Sequence, residues 1–218
     1  MYFENRSQAG QHLANALVAR YRYENCAVLA LSPGGVLVGE QIAAVLHCPL
    51  MMLLSESIDI PGESATIGAV TDGGGFTYNS DISQTELDEY TSEFHSYIDD
   101  KRREAMAHID SLIGDGGVVD TNLLKDRHII LVSDAFYDLS TIDMALAFLK
   151  PIRTGKLIFV APIATVPTVD RLHVAADELH ILDVKENFLG VDHYYEDNTV
   201  PPVEVIVSKI SQIVLNWR

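Results

Sequence analysis

The chain has 218 residues, of which 31 are acidic and 15 are lysine or arginine, so its formal net charge is −16. This length suits one domain with a substantial core, and the acidity disfavours nucleic acid and anionic membranes as partners. No apolar run approaches the roughly 20 residues that cross a bilayer, and the start of the chain lacks the basic-then-apolar order of a signal peptide, so we expect a cytoplasmic protein.

Strands and helices alternate from the beginning of the chain. An amphipathic helix over 7–20 precedes an apolar strand over 26–31, a turn over 32–35, a helix over 36–46 and a strand over 50–54. Cys26 and Cys48 lie in these apolar stretches, which predicts two buried reduced thiols rather than a disulfide or a metal site.

The middle of the chain predicts a hairpin and a long helix. We expect an exposed loop over 58–64, a hairpin formed by 66–71 and 76–78, and one helix that ends at the glycines of 114–117. Ser83 and Glu86 form the capping box that begins this helix.

The second half continues the alternation. Strands are predicted over 128–132, 157–161 and 179–184, with helices running to Leu149, from Pro167 and from Pro202. This order predicts an α/β fold with a doubly wound, mostly parallel sheet. Ligands of such sheets bind beyond the carboxyl ends of the strands, here after Leu31, Val132 and Ala161.

Charge is unevenly distributed along the chain. Thirteen acidic residues and no lysine or arginine lie between Tyr23 and Asp100. The simplest interpretation is an acidic surface exposed to solvent. The stretch becomes informative only if the fold normally binds an anion in this part of the chain.

The residues at these turns resemble those of one enzyme family. The segments concerned are Leu31–Val36, Ala65–Gly73, Val160–Ala164, Val169–Leu172, Ala176–Glu178, Val191–Asp197 and the loop Ser133-Asp134-Ala135-Phe136-Tyr137-Asp138-Leu139-Ser140-Thr141. In order and spacing they are similar to the type I phosphoribosyltransferases, especially the stand-alone bacterial ones, over nearly the whole chain. The resemblance implies one domain over 1–218, with a hood, hairpin and long-helix insertion at about 55–117.

The resemblance also implies a substrate, phosphoribosyl pyrophosphate with Mg²⁺. In that family, two adjacent acids of the loop bind the ribose hydroxyls, and the glycine-bearing turn with the following helix N-terminus holds the 5′-phosphate through backbone N–H groups. A Gly-Gly turn after the first strand, usually preceded by arginine, holds the pyrophosphate, and a basic pair begins the hood.

This sequence departs from the family pattern wherever an anion would bind. Ser133 replaces the first acid, Ala135 a glycine, and Asp138-Leu139 the Thr-Gly pair, while Asp134 and Thr141 remain. Gly34 and Gly35 remain, but Pro33 stands at the arginine position, and Ser55-Glu56-Ser57 stands near the basic pair.

Energies indicate how much these changes weaken donor binding. A carboxylate about 4 Å from one phosphate charge costs about 4 kcal/mol at an effective dielectric of about 20, which is on the order of a thousandfold in affinity. We expect a left-handed backbone at Leu139, costing about 1–2 kcal/mol. The missing arginine removes a contact worth about 1.5–3 kcal/mol. No cofactor is therefore expected, and Mg²⁺ only if the protein is an active transferase.

Several of these residues also have structural interpretations. Asp138 or Ser140 is a suitable N-cap for the next helix, and Asp134 suits a turn. Phe188, Tyr194 and Tyr195 lie where the family covers its base, and they suit either stacking on a ring or packing in the core.

Two hypotheses follow, and they leave open whether the chain is an enzyme. In the first, the protein has lost its donor site and has a binding, regulatory or assembly role, through the acidic face or a homodimer interface, since relatives commonly self-associate. In the second, it is an active phosphoribosyltransferase or related nucleoside or nucleotide enzyme with an altered donor or acceptor, which Asp134 and Thr141 would still hold. The sequence identifies neither a small-molecule nor a protein partner.

Overall fold

The computed structural model describes residues 1–63, 66–113 and 119–215. Its helices are α1 (Arg6–Tyr21), α2 (Pro33–Leu46), α3 (Gln84–Glu93), α4 (His95–Ile113), α5 (Leu139–Leu149), α6 (Val166–Ala175) and α7 (Val203–Leu215). Its strands are β1 (Cys26–Ala30), β2 (Leu50–Met52), β3 (Ser55–Asp59), β4 (Thr66–Thr71), β5 (Phe76–Tyr78), β6 (His128–Val132), β7 (Leu157–Thr165) and β8 (Glu178–Lys185).

The chain divides into two compact units. The first comprises Met1–Met52, Val119–Tyr137 and Ile152–Arg218, and the second comprises Leu53–Val118 and Asp138–Pro151. The second unit thus contains the region predicted as an insertion at about 55–117, together with α5.

A five-stranded parallel sheet forms the centre of the first unit. The strand order is β2-β1-β6-β7-β8, and β1 aligns with β6 from Cys26 opposite His128 to Ala30 opposite Val132. The order reverses between β1 and β6, which makes their carboxyl ends the position where such sheets bind ligands. The predicted doubly wound parallel sheet is confirmed.

Close helix packing in the first unit depends on a glycine. Helices α1 and α2 lie against each other, and a Cβ atom on Gly10 would come within 2.6 Å of the carbonyl oxygen of Val38. Any larger residue at Gly10 would therefore force the two helices apart.

The second unit is built on a three-stranded antiparallel sheet. Its order is β3-β4-β5, with α4 packed on β3 and β4 and α5 packed on β4 and β5. The predicted hairpin of β4 and β5 is confirmed, but the predicted exposed loop over 58–64 is wrong at its start. Ile58 lies in β3 and Ile60 follows this strand, and both side chains are buried in the core of this unit.

The predicted single long helix is two helices. The capping box of Ser83 and Glu86 begins α3 as predicted, but α3 ends at Glu93 and α4 starts at His95. Phe94 between them leaves the helical conformation, and its ring packs against the core with Tyr90 and Ile98. The end predicted at 114–117 lies outside the described residues, as do Ser64 and Ala65.

Within the described ranges, no helix is both long and apolar enough to cross a membrane. The C-terminal helix α7 instead packs on β2.

Candidate functional site

The predicted glycine turn after β1 is the first turn of helix α2. Ser32 is the N-cap, and its hydroxyl accepts a hydrogen bond of 2.8 Å from the backbone N–H of Gly35. Pro33 occupies the first turn, where its missing N–H costs nothing. A Cβ atom on Gly35 would lie 2.8 Å from the carbonyl oxygen of Val132, so glycine is needed here for close packing on β6.

The loop after β6 continues along β7. The N–H of Phe136 donates to the carbonyl of Ile163, and the carbonyl of Phe136 accepts from Thr165, both at 2.9 Å. The hydroxyl of Ser133 donates to the carbonyl of Ala135 at 2.8 Å. Ser133, Ala135 and Phe136 are buried, whereas Tyr137 is 54 % exposed.

Both carboxylate oxygens of Asp134 already have partners. One accepts from the hydroxyl of Ser32 at 2.7 Å, and the other accepts from Nε of Arg6 at 2.8 Å. The hydroxyl of Tyr195 donates to the backbone carbonyl of the same residue at 2.7 Å. A Cβ atom on Gly34 would overlap this carboxylate, so Gly34 lies directly against Asp134.

Arg6 is the residue of this site that the sequence interpretation missed. It begins α1, is 4 % exposed, and also donates to the carboxylate of Asp192 at 2.9 Å. Burial disfavours its charge, but the hydrogen bond and the charge of Asp134 outweigh burial, so the pKa of Arg6 is raised. A signal was present, because Arg6 precedes Ala9 and Leu13 on the apolar face of α1 at helical spacing.

In the second unit, Asp138 is the N-cap of α5. Its carboxylate accepts from the backbone N–H groups of Ser140 and Thr141 at 3.1 and 3.2 Å. It also accepts from both of their hydroxyls. The structure thus selects Asp138 over Ser140 as the cap.

The left-handed backbone expected at Leu139 is wrong. Leu139 is the first residue of α5, and among the described residues other than glycine only His47 and Asp126 have positive φ. Because Asp138 caps the helix and Leu139 lies in its first turn, Leu139 carries no left-handed backbone strain.

The three residues predicted as a base lid have different surroundings. Phe188 stacks on Tyr137 with ring centroids 5.1 Å apart and planes inclined by 13°, and on Tyr194 at 5.7 Å. Tyr195 is buried and stacks on Phe3. Burial, followed by the charge of Asp134, raises the pKa of Tyr195, so its phenol stays protonated.

The predicted hood positions lie in a strand of the second unit. Ser55, Glu56 and Ser57 lie in β3, where the carboxylate of Glu56 is 2.7 Å from Nδ1 of His108. No cluster of three or more histidine, cysteine, aspartate or glutamate side chains suited to a metal occurs in the ranges that the structure covers.

Comparison with solved structures identifies the fold. The protein TT1426 from Thermus thermophilus superposes with a TM-score of 0.74 at 24 % identity, covering 98 % of this chain and 99 % of that one. The chain has the fold of TT1426.

Two further solved structures are more distant. A purine phosphoribosyltransferase from Pyrococcus horikoshii has a TM-score of 0.46 at 12 % identity, covering 84 % of each chain. A hypoxanthine phosphoribosyltransferase from Staphylococcus aureus has a TM-score of 0.45 at 10 % identity, covering 83 % of this chain and 74 % of that one. No family model matches the sequence. Both of these structures are phosphoribosyltransferases, the family that the sequence resembles.

Proposed function

We propose that this protein is a phosphoribosyltransferase-fold binding protein that does not use phosphoribosyl pyrophosphate. One observation carries the proposal. The carboxylate of Asp138 accepts the backbone N–H groups of Ser140 and Thr141. In the family that the chain resembles, N–H groups at this helix start hold the 5′-phosphate, so a carboxylate already takes the place of that anion.

Electrostatics makes this replacement hard to reverse. A phosphate approaching within about 4 Å of the Asp138 carboxylate meets a repulsion of about 4 kcal/mol at an effective dielectric of about 20. Moving Asp138 aside removes the repulsion but also removes a helix cap worth about 1 kcal/mol. Whether Asp138 stays or moves, phosphoribosyl pyrophosphate should bind more weakly than it does to the family's loop, which has threonine and glycine at positions 138 and 139.

The environment of Asp134 supports the same proposal in the first unit. This is the only acid left of the pair that would bind ribose hydroxyls, and its oxygens are engaged by Ser32 and Arg6. A sugar would have to compete with a buried ion pair whose side chains are 4 % and 10 % exposed. We therefore assign the protein a role in binding or regulation. We place it in the cytoplasm, because the free thiols of Cys26 and Cys48 suit a reducing compartment.

One observation favours the second candidate function, an enzyme or receptor for a nucleoside without phosphate. Tyr137 is half exposed and lies parallel to Phe188, so it presents an aromatic face next to the loop. Such a face suits a neutral or cationic ring, and the carboxylate of Asp138 disfavours an anionic one.

Calorimetric titration tests the proposal. Phosphoribosyl pyrophosphate with Mg²⁺ should give no binding heat at micromolar to millimolar concentration, and ribose 5-phosphate should give none either. The matched variant Asp138→Thr combined with Leu139→Gly removes the carboxylate next to the N–H groups of Ser140 and Thr141 and with it the repulsion of a phosphate, so weak ribose 5-phosphate binding should appear.

Micromolar binding of the donor to the unaltered protein would contradict the proposal. A nucleoside panel separates the two candidates. Saturable binding of a nucleoside that Tyr137→Ala weakens, together with its turnover, would establish the enzyme instead.

A further inference from the structure

The guanidinium of Arg6 contacts four partners among the residues that the structure describes. It donates to the carboxylates of Asp134 at 2.8 Å and Asp192 at 2.9 Å, and to the carbonyl of Asn198 at 3.4 Å. Its carbon lies 4.6 Å from the centroid of the Tyr195 ring. Two carboxylates, a carbonyl and an aromatic face match the planar, multiply donating shape of a guanidinium.

These partners come from segments far apart along the chain. Asp134 lies in the loop after β6, whereas Asp192, Tyr195 and Asn198 belong to the segment 191–198. That segment also pairs with the residues just before α1, through hydrogen bonds from Phe3 to the Tyr194 carbonyl and from Glu196 to the Phe3 carbonyl. Two side chains join segment 191–198 to the loop: Arg6, and Tyr195, whose hydroxyl donates to the Asp134 carbonyl at 2.7 Å.

We propose that these four partners form a binding site for a guanidinium group, the guanidinium cage. Arg6 occupies this cage and thereby holds segment 191–198 against the loop after β6. This goes beyond the proposed function and does not depend on it. Lysine cannot replace arginine here, because an ammonium is a point charge that cannot serve acceptors in several directions of one plane. Without Arg6 the buried Asp134 carboxylate loses a charged partner and keeps its hydrogen bond from the hydroxyl of Ser32.

Substitution with chemical rescue tests the cage. Arg6→Ala should lower the melting temperature by about 10 °C, as expected for breaking a buried pair, and Arg6→Lys should recover less than half of that loss. Amide exchange should accelerate in 133–137 and 191–198. Added methylguanidinium should raise the melting temperature of Arg6→Ala more than methylammonium does, and neither should stabilise the unaltered protein.

Arg153→Ala is the matched control, since Arg153 pairs with Asp126 at 3.0 Å but its side chain is 83 % exposed. It should change the melting temperature little and show no rescue. If Arg6→Ala does not fold, Asp192→Ala serves instead, because it removes the more exposed carboxylate of the cage. The rate of amide hydrogen exchange in 191–198 should then rise about fivefold, the equivalent of about 1 kcal/mol for one partly exposed pair.

Two results would overturn the proposal. One is unchanged exchange in 191–198 in whichever of the Arg6 and Asp192 variants folds. The other is equal rescue of Arg6→Ala by methylammonium and methylguanidinium, which would indicate that charge alone is required.

Discussion

At the scale of single residues, burial lowers the reactivity of Cys26 and Cys48. Cys26 begins β1, Cys48 lies just before β2, and both are free thiols with at most 6 % exposure. Burial raises the pKa of Cys26 to about 11 and that of Cys48 to about 12. The nucleophilic thiolate is thus nearly absent at neutral pH, and neither cysteine is suited to catalysis.

Stability should therefore fall as the pH rises above about 9. Unfolded thiols ionise near pH 8.5, while the folded ones stay protonated up to their raised pKa values, so the unfolded state binds fewer protons in this range. Urea unfolding at a series of pH values between about 7 and about 11 measures the free energy of unfolding. In the double variant Cys26→Ala, Cys48→Ala the free energy of unfolding should fall less steeply with pH. Identical slopes in the two proteins would mean that the thiols do not contribute.

At the scale of elements, the start of each helix shows what the sequence could predict. The capping box before α3 was recognisable because Ser83 and Glu86 have the required spacing. The start of α2 was misread as a glycine turn, although Ser32 and Pro33 form a cap followed by proline in the first turn. Glycine there serves packing on β6, which depends on a contact distant in sequence and is invisible to local patterns.

The loop after β6 was predictable only in part. The sequence placed the loop after the strand 128–132, at the edge of the sheet where ligands bind, and offered Asp138 or Ser140 as the cap of α5, of which Asp138 is the cap. It did not predict that Asp134 pairs with Arg6, because 128 residues separate them along the chain. The strand-like pairing of Phe136 with Ala164 was also missed, since it depends on β7 extending to Thr165, beyond the predicted end at Ala161.

Removing the cap of α5 should destabilise the protein measurably. Asp138→Ala leaves the N–H groups of Ser140 and Thr141 without their acceptor, which should lower the free energy of unfolding by about 1 kcal/mol. Asp138→Asn should lose less, because its amide oxygen still accepts. Urea denaturation of these variants beside Ser83→Ala, which removes the cap of α3, gives the comparison. A neutral effect of Asp138→Ala would show that α5 does not need this cap.

At the scale of the whole molecule, the net charge of −16 has a cost for stability. The acidic stretch between Tyr23 and Asp100 includes α3, where Glu86, Asp88 and Glu89 are all exposed. Like charges at such density repel one another more in the folded protein than in the expanded chain, and this repulsion is screened by salt.

Salt should accordingly stabilise the protein. Raising NaCl from about 0.01 M to about 1 M shortens the Debye length from about 30 Å to about 3 Å, and we expect the melting temperature to rise by several degrees. Calorimetry in NaCl and KCl should give equal rises, since screening does not distinguish the two cations. A fall with salt would instead mean that ion pairs outweigh the repulsion.

The contact between Arg6 and the carbonyl of Asn198 spans 192 positions of the chain. During synthesis, the first helix leaves the ribosome long before its partners in 191–198 exist, and domains otherwise begin to fold from their leading end. The segment before α1 therefore lacks these partners until 191–198 has been synthesised. Nascent chains stalled shortly before and shortly after Asn198 emerges from the ribosome should therefore differ sharply in how readily a protease cleaves the residues before α1.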